Sequence, residues 1–82
     1  MTLIKKLINK FSNNPDSLRY SEIEKILLYL EFEKSQGKGS HVKFSHLDCN
    51  KALIFAIHNN DCRKAYKKST LNILRNNNFL KP

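Results

Sequence analysis

The stretch Glu31–Phe44, EFEKSQGKGSHVKF, decides how this chain is to be read. Up to Leu30 the apolar residues follow a helical period, and at Glu31 that period changes. Phe32, Lys34 and Gln36 then share one side of an extended segment, and both glycines of the chain follow. Beyond them Val42 and Phe44 alternate with His41, Lys43 and Ser45. Gly37–Gly39 supplies the backbone freedom of a reversal, so the pattern predicts a β-hairpin with Val42 and Phe44 facing a core. His41 and Lys43 have the opposite parity and should face away from it.

Before the hairpin, SEIE (Ser21–Glu24) fits a capping box, with Tyr20 placed as a hydrophobic staple. Ile23, Ile26, Leu27 and Leu30 continue as one helical stripe. Further upstream, Leu3, Ile4, Leu7, Ile8 and Phe11 share one helix face, with Lys5, Lys6, Asn9 and Lys10 opposite. Thr2 is placed to cap this helix and SNNP (Ser12–Pro15) to end it. A helix of three turns is a poor membrane-surface anchor unless a second signal supports it.

After the hairpin, HLDCNK (His46–Lys51) reads as a polar turn and ALIFAI (Ala52–Ile57) as an apolar strand. Leu53, Phe55 and Ile57 share one side; Ile54, Ala56 and His58 share the other. A strand apolar on both faces implies either a cover over the second, which would mark a contact site, or tolerated exposure of Ile54 and Ala56; the cover is the expectation. The segment from His58 reads as a polar, basic connection leading to a helix that begins near Ser69. That helix turns Leu71 and Leu74 inward, holds Thr70 and Ile73 at its margins, and ends at Asn76–Asn78. The class is α+β: a three-stranded antiparallel sheet with helices on one face. The 82 residues form a single domain without repeats or a low-complexity linker.

Lysine and arginine number 15 against 7 acidic residues, a net charge of +8. The resulting field gathers polyanions, so RNA, DNA or an acidic protein surface are the expected partners, although such charges also serve simply to solvate a face. Two cysteines are too few for the disulfide framework of a small secreted domain. No apolar run approaches the roughly 20 residues of a membrane span. The N-terminal segment lacks the features of a signal peptide. These observations predict a cytoplasmic protein with free thiols.

The chain contains neither a phosphate-binding glycine loop of the nucleotide-hydrolase kind nor a G-x-S-x-G elbow. Glu22, Glu24, Glu31 and Glu33 suit a solvated helix face better than a paired-carboxylate site. His46, Cys49, His58 and Cys62 have zinc-type identities. An extended run between Cys49 and His58 would separate the two pairs by about 30 Å, so no metal and no disulfide is expected there. The histidines remain. In metal-independent RNA cleavage a base removes the ribose 2′-OH proton, the oxyanion attacks phosphorus, and an acid protonates the 5′ oxygen. Histidine suits these roles near neutral pH. Gly39 and Ser40 would let a phosphate approach the backbone ahead of His41, and Lys43 would hold it. An exposed histidine at a strand edge is equally compatible with surface decoration.

KGSHVKF (Lys38–Phe44), in this setting, resembles the HicA-family toxins, the RNA-cleaving half of a bacterial toxin–antitoxin pair. The likeness runs from about Ser21 to Leu80: the capped helix SEIEKILLYLEF, the glycine-serine-histidine turn, an apolar strand ending Ile57–His58, and the closing KKSTLNIL helix. It implies a double-stranded-RNA-binding-like α-β-β-β-α core over residues 20–80, with residues 1–14 as an N-terminal helical extension. It implies an mRNA endoribonuclease without cofactor, small-molecule substrate or membrane association. His41 falls on the family's catalytic histidine. Lys38, Gly39, Ser40, Lys43, Lys67 and Lys68 are the expected RNA contacts, and His58 is a secondary acid/base candidate. The implied partners are mRNA and a HicB-like antitoxin that covers the site. Three positions depart from the family pattern: Glu31 and Asn78 stand where glycine is usual, and His58–Asp61 lacks the usual proline and adds a carboxylate. A non-catalytic RNA-binding module, and a degenerate toxin that keeps only antitoxin binding, are the alternatives.

Overall fold

A computed structural model describes residues 3–80. Thr2, the expected first cap, lies outside the described residues. The element order is α1 (Leu3–Asn13), a single 3₁₀ turn (Pro15–Ser17), α2 (Tyr20–Tyr29), β1 (Glu33–Gln36), β2 (His41–His46), β3 (Cys49–Ala56) and α3 (Lys64–Asn76). The strands form one antiparallel sheet in the order β1-β2-β3, with the helices on one face, as the sequence predicts. Val42, Phe44, Leu53 and Phe55 turn inward against Phe11, Ile23, Ile26, Leu27, Leu71 and Leu74. Phe44 and Phe55 meet edge to face at 5.8 Å, both fully buried. Each contributes about 2–3 kcal/mol by leaving water.

The N-terminal segment is part of this core. Phe11 and Leu18 are fully buried in the same cluster that ends at Leu80. The Arg75 guanidinium donates to the Ser12 carbonyl (2.6 Å) at the C-terminus of α1, tying α1 to α3. Leu3, expected on the buried face, is 70% exposed, because the packed part of α1 begins at Ile4.

Four local expectations require correction. Helix α2 begins at Tyr20 with Arg19 as N-cap, so Ser21 lies within its first turn. Glu22, not Glu24, reaches back to the Arg19 N–H (3.1 Å). Arginine offers no acceptor, so the reciprocal half of a capping box is missing. Glu24 instead accepts from the Tyr20 hydroxyl (2.6 Å) and pairs with Lys34 (2.8 Å). Tyr20 itself is the buried first helical residue rather than a staple ahead of the cap.

The turn between β2 and β3 is only Leu47–Asp48, closed by His46 opposite Cys49. Strand β3 therefore starts three residues before Ala52. The register shifts between Phe44 and His46, so Asn50–Ala52 face only Ser45 across the pair. That bulge breaks the alternation by which a strand is read.

Helix α3 starts at Lys64, five residues before Ser69. Its buried stripe is Lys67, Thr70, Leu71 and Leu74. The spacing is helical, but two of the four inward positions are polar, which hides the first turns from a hydrophobic pattern.

The exits of α2 and α3 use the same device. Glu31 (φ 71°) follows α2, and the Phe32 and Glu31 N–H groups donate to Leu27 (3.0 Å) and Leu28 (3.0 Å). Asn78 (φ 63°) follows α3, and the Phe79 and Asn78 N–H groups donate to Leu74 (2.9 Å) and Arg75 (3.2 Å). Both are Schellman caps whose left-handed residue is not glycine.

Candidate functional site

His41 opens β2 directly after the hairpin tip, opposite Ala56 on β3. Its side chain is exposed, and Lys43, opposite Ile54, projects from the same outer face. The tip is a turn in which the His41 N–H donates to the Lys38 carbonyl (3.1 Å), with Gly39 at φ 58°. Nothing lies within 4 Å of where a Gly39 Cβ would be, so one side of this turn is open. Gly37 is different: a Cβ there would come within 3.2 Å of the His41 Cβ and carbonyl oxygen. Gly39 is required by its conformation and Gly37 by the closeness of His41.

The end of β3 joins this region. The Ile57 N–H donates to the Ser40 carbonyl (3.0 Å), and His58 follows. His58 and Asp61 exchange backbone hydrogen bonds (2.8 and 3.0 Å) across Asn59 and Asn60, both left-handed (φ 52° and 63°). Two consecutive left-handed residues make the tight reversal that asparagine tolerates best without glycine. His41 and His58 therefore lie at one end of the sheet.

Asp61 ties this end together. Its carboxylate accepts from the Tyr20 N–H, the first of α2 (2.9 Å), and from the Cys62 N–H (2.8 Å), and it pairs with Lys67 (3.2 Å). Burial alone would raise its pKa, but the Cys62 and Tyr20 N–H groups and the Lys67 ammonium outweigh it and hold the carboxyl below its ordinary value. The added carboxylate of the 58–61 stretch is thus spent inside the protein. Cys62 is pushed up by burial, with Lys67 opposing and Asp61 adding, so its thiol is not an activated nucleophile.

Lys67, expected as a phosphate contact, is buried and engaged with Asp61, which removes it from the RNA-facing set. Lys38, Ser40, Lys43, His58 and Lys68 are exposed, as a binding role requires. His46 ends β2 opposite Cys49 at the start of β3, whereas His58 and Cys62 follow the far end of β3. Both cysteines are free.

Three cations escaped the sequence reading. Arg19 caps α2, Arg63 caps α3, and Lys64 opens α3; all three are exposed. The first turn of α3 carries no acidic residue. Cations at a helix N-terminus oppose the helix dipole, so helix stability does not account for these three. The starts of α2 and α3 are tied together at Asp61, and no local sequence signal reports that meeting. A cavity of about 340 Å³ beside them is lined by His58, Asp61, Cys62 and Arg63.

Residues 20–75 match the model of a family described as the HicA toxin of bacterial toxin–antitoxin systems. Comparison with curated proteins and with solved structures gives no significant match. No helix among the described residues is long and apolar enough to cross a membrane.

Proposed function

The chain belongs to the HicA toxin family, and from that premise we propose that it is a metal-independent endoribonuclease that cleaves mRNA in the cytoplasm and so arrests translation. The observation that carries this reading is the position of His41. It stands exposed beside an open glycine turn, at the sheet end that also carries His58. His41 would take the 2′-OH proton, the oxyanion would attack phosphorus to leave a 2′,3′-cyclic phosphate, and His58 would protonate the departing 5′ oxygen. Lys38, Lys43, Lys68 and the backbone at Gly39–Ser40 would hold the phosphate; Arg19, Arg63 and Lys64 would guide the strand.

The outer face of the sheet suggests the regulator. Ile54, opposite Lys43, is 53% exposed, and no element among the described residues covers it. A HicB-like antitoxin laid across this face would bury Ile54 and screen His41 together.

The test is induced expression of wild type and His41→Ala in bacteria, with growth and mRNA length followed in parallel. The reading expects arrest and mRNA loss with wild type only. Arrest by both proteins, or by neither, would favour RNA binding without cleavage or a toxin reduced to antitoxin binding.

A further inference from the structure

We infer that Gln36 is a positioning residue for His41, and that the hairpin tip holds His41 with its proton on Nδ1 and its lone pair on Nε2. The catalytic half of this inference rests on His41 being the base of RNA cleavage. The positional half stands without it.

His41 Nδ1 lies 3.1 Å from the Lys38 carbonyl oxygen. A carbonyl only accepts, so the ring nitrogen in this contact donates. In a neutral imidazole the other nitrogen must then carry the lone pair. Nε2 is thereby left as the proton acceptor on an exposed side chain. The same Lys38 oxygen also accepts the His41 backbone N–H (3.1 Å), so one atom fixes both the main chain and the ring.

That contact lasts only while the Lys38–His41 turn keeps its shape, and Gln36 braces the turn. The Gln36 carboxamide nitrogen donates to the carbonyls of Gly39 (3.3 Å) and His41 (3.1 Å), on either side of Ser40. The His41 carbonyl also accepts the Gly37 N–H (2.9 Å). Gly37 packs closely on His41: a methyl group there would press on the His41 Cβ and carbonyl oxygen at 3.2 Å, so that His41 would have to give by a few tenths of an ångström. Gln36 is the last residue of β1, in register with Val42, whose side chain is anchored in the core. A restraint on the His41 ring thus runs from the sheet through one amide side chain.

Gln36→Met keeps the side-chain length and removes both donors. Long-range ¹⁵N NMR at alkaline pH, where the imidazole is neutral, reads the His41 tautomer directly. In wild type we expect the Nδ1–H form. In Gln36→Met we expect a shift towards the Nε2–H form, with kcat on a short RNA about tenfold lower and KM within twofold. Gly37→Ala should move the tautomer in the same direction and serves if Gln36→Met fails to fold. An Nε2–H tautomer in wild type, or an unchanged tautomer in the variants, overturns the inference. The expected tautomers in a wild type that cleaves no RNA would uphold the positioning and sink the nuclease reading alone.

Discussion

The Lys67 ammonium lies 3.2 Å from the Asp61 carboxylate, with only 6% of the lysine side chain exposed. This pair joins the His58–Asp61 reversal to α3, and Asp61 carries the restraint on to α2 through the Tyr20 N–H. Removing one partner of such a pair leaves the other charge buried and uncompensated. Asp61→Ala should therefore destabilise by about 2–3 kcal/mol and lower Tm by roughly 10–15 °C. Thermal melts of the two proteins check this.

The same pair sets an acid limit. The folded-state pKa of Asp61 lies below its unfolded value of about 3.9, so its contribution is complete above that value and is lost as pH falls through the folded-state pKa. Glu24 adds in the same sense: burial raises it, but Lys34 and Tyr20 lower it further than burial lifts it. Between about pH 5 and pH 2 the stability of wild type should fall more steeply than that of Asp61→Ala. Parallel slopes in urea titrations over that range would show that Asp61 is not linked to folding.

Lys67 and Lys68 adjoin in sequence and should separate in function. Lys68→Ala should weaken RNA binding and reduce its salt dependence by about one ion. Lys67→Met should leave RNA affinity within twofold, because its ammonium faces Asp61 rather than solvent. Binding isotherms at several salt concentrations distinguish the two.

These contrasts show what could be read from sequence. The hairpin, the inward pair Val42 and Phe44, the outward His41 and the asparagine exit of α3 follow from local period and turn chemistry, which a single chain displays. The starts of β3 and α3 did not. One is masked by a bulge over Asn50–Ala52, the other by Lys67 and Thr70 occupying inward helical positions. Lys67 looked like a phosphate contact because a lysine is called buried only once its partner is known, and Asp61 belongs to a different element. The tie between the starts of α2 and α3 depends on a contact 41 residues apart in sequence, from the Tyr20 N–H to Asp61. Pairings between elements are what a one-dimensional pattern does not contain.

Glu31 bears a left-handed conformation (φ 71°) in an otherwise satisfied cap. Glu31→Gly should relieve that strain and stabilise by about 1 kcal/mol. Asn78→Gly, at the matching position after α3, should gain less, since asparagine tolerates this region better. Chemical denaturation of both variants measures the difference, and equal gains would contradict the explanation.

Ile54 is exposed on the outer face of the sheet, opposite Lys43. Ile54→Glu should leave Tm within about 2 °C, as for a surface position, while weakening capture of the cognate antitoxin at least tenfold. Calorimetry with a cognate antitoxin supplies the measurement; undiminished affinity would place the antitoxin elsewhere.

The central claim is that His41 performs metal-independent RNA cleavage. The most direct measurement incubates purified wild type and His41→Ala with a defined RNA in excess EDTA and analyses the product ends. The account predicts 2′,3′-cyclic phosphate ends from wild type, a rate at least about a hundredfold lower for His41→Ala, and RNA affinity equal within twofold. Cleavage by His41→Ala at the wild-type rate, or wild-type cleavage abolished by EDTA and restored by metal, would contradict it.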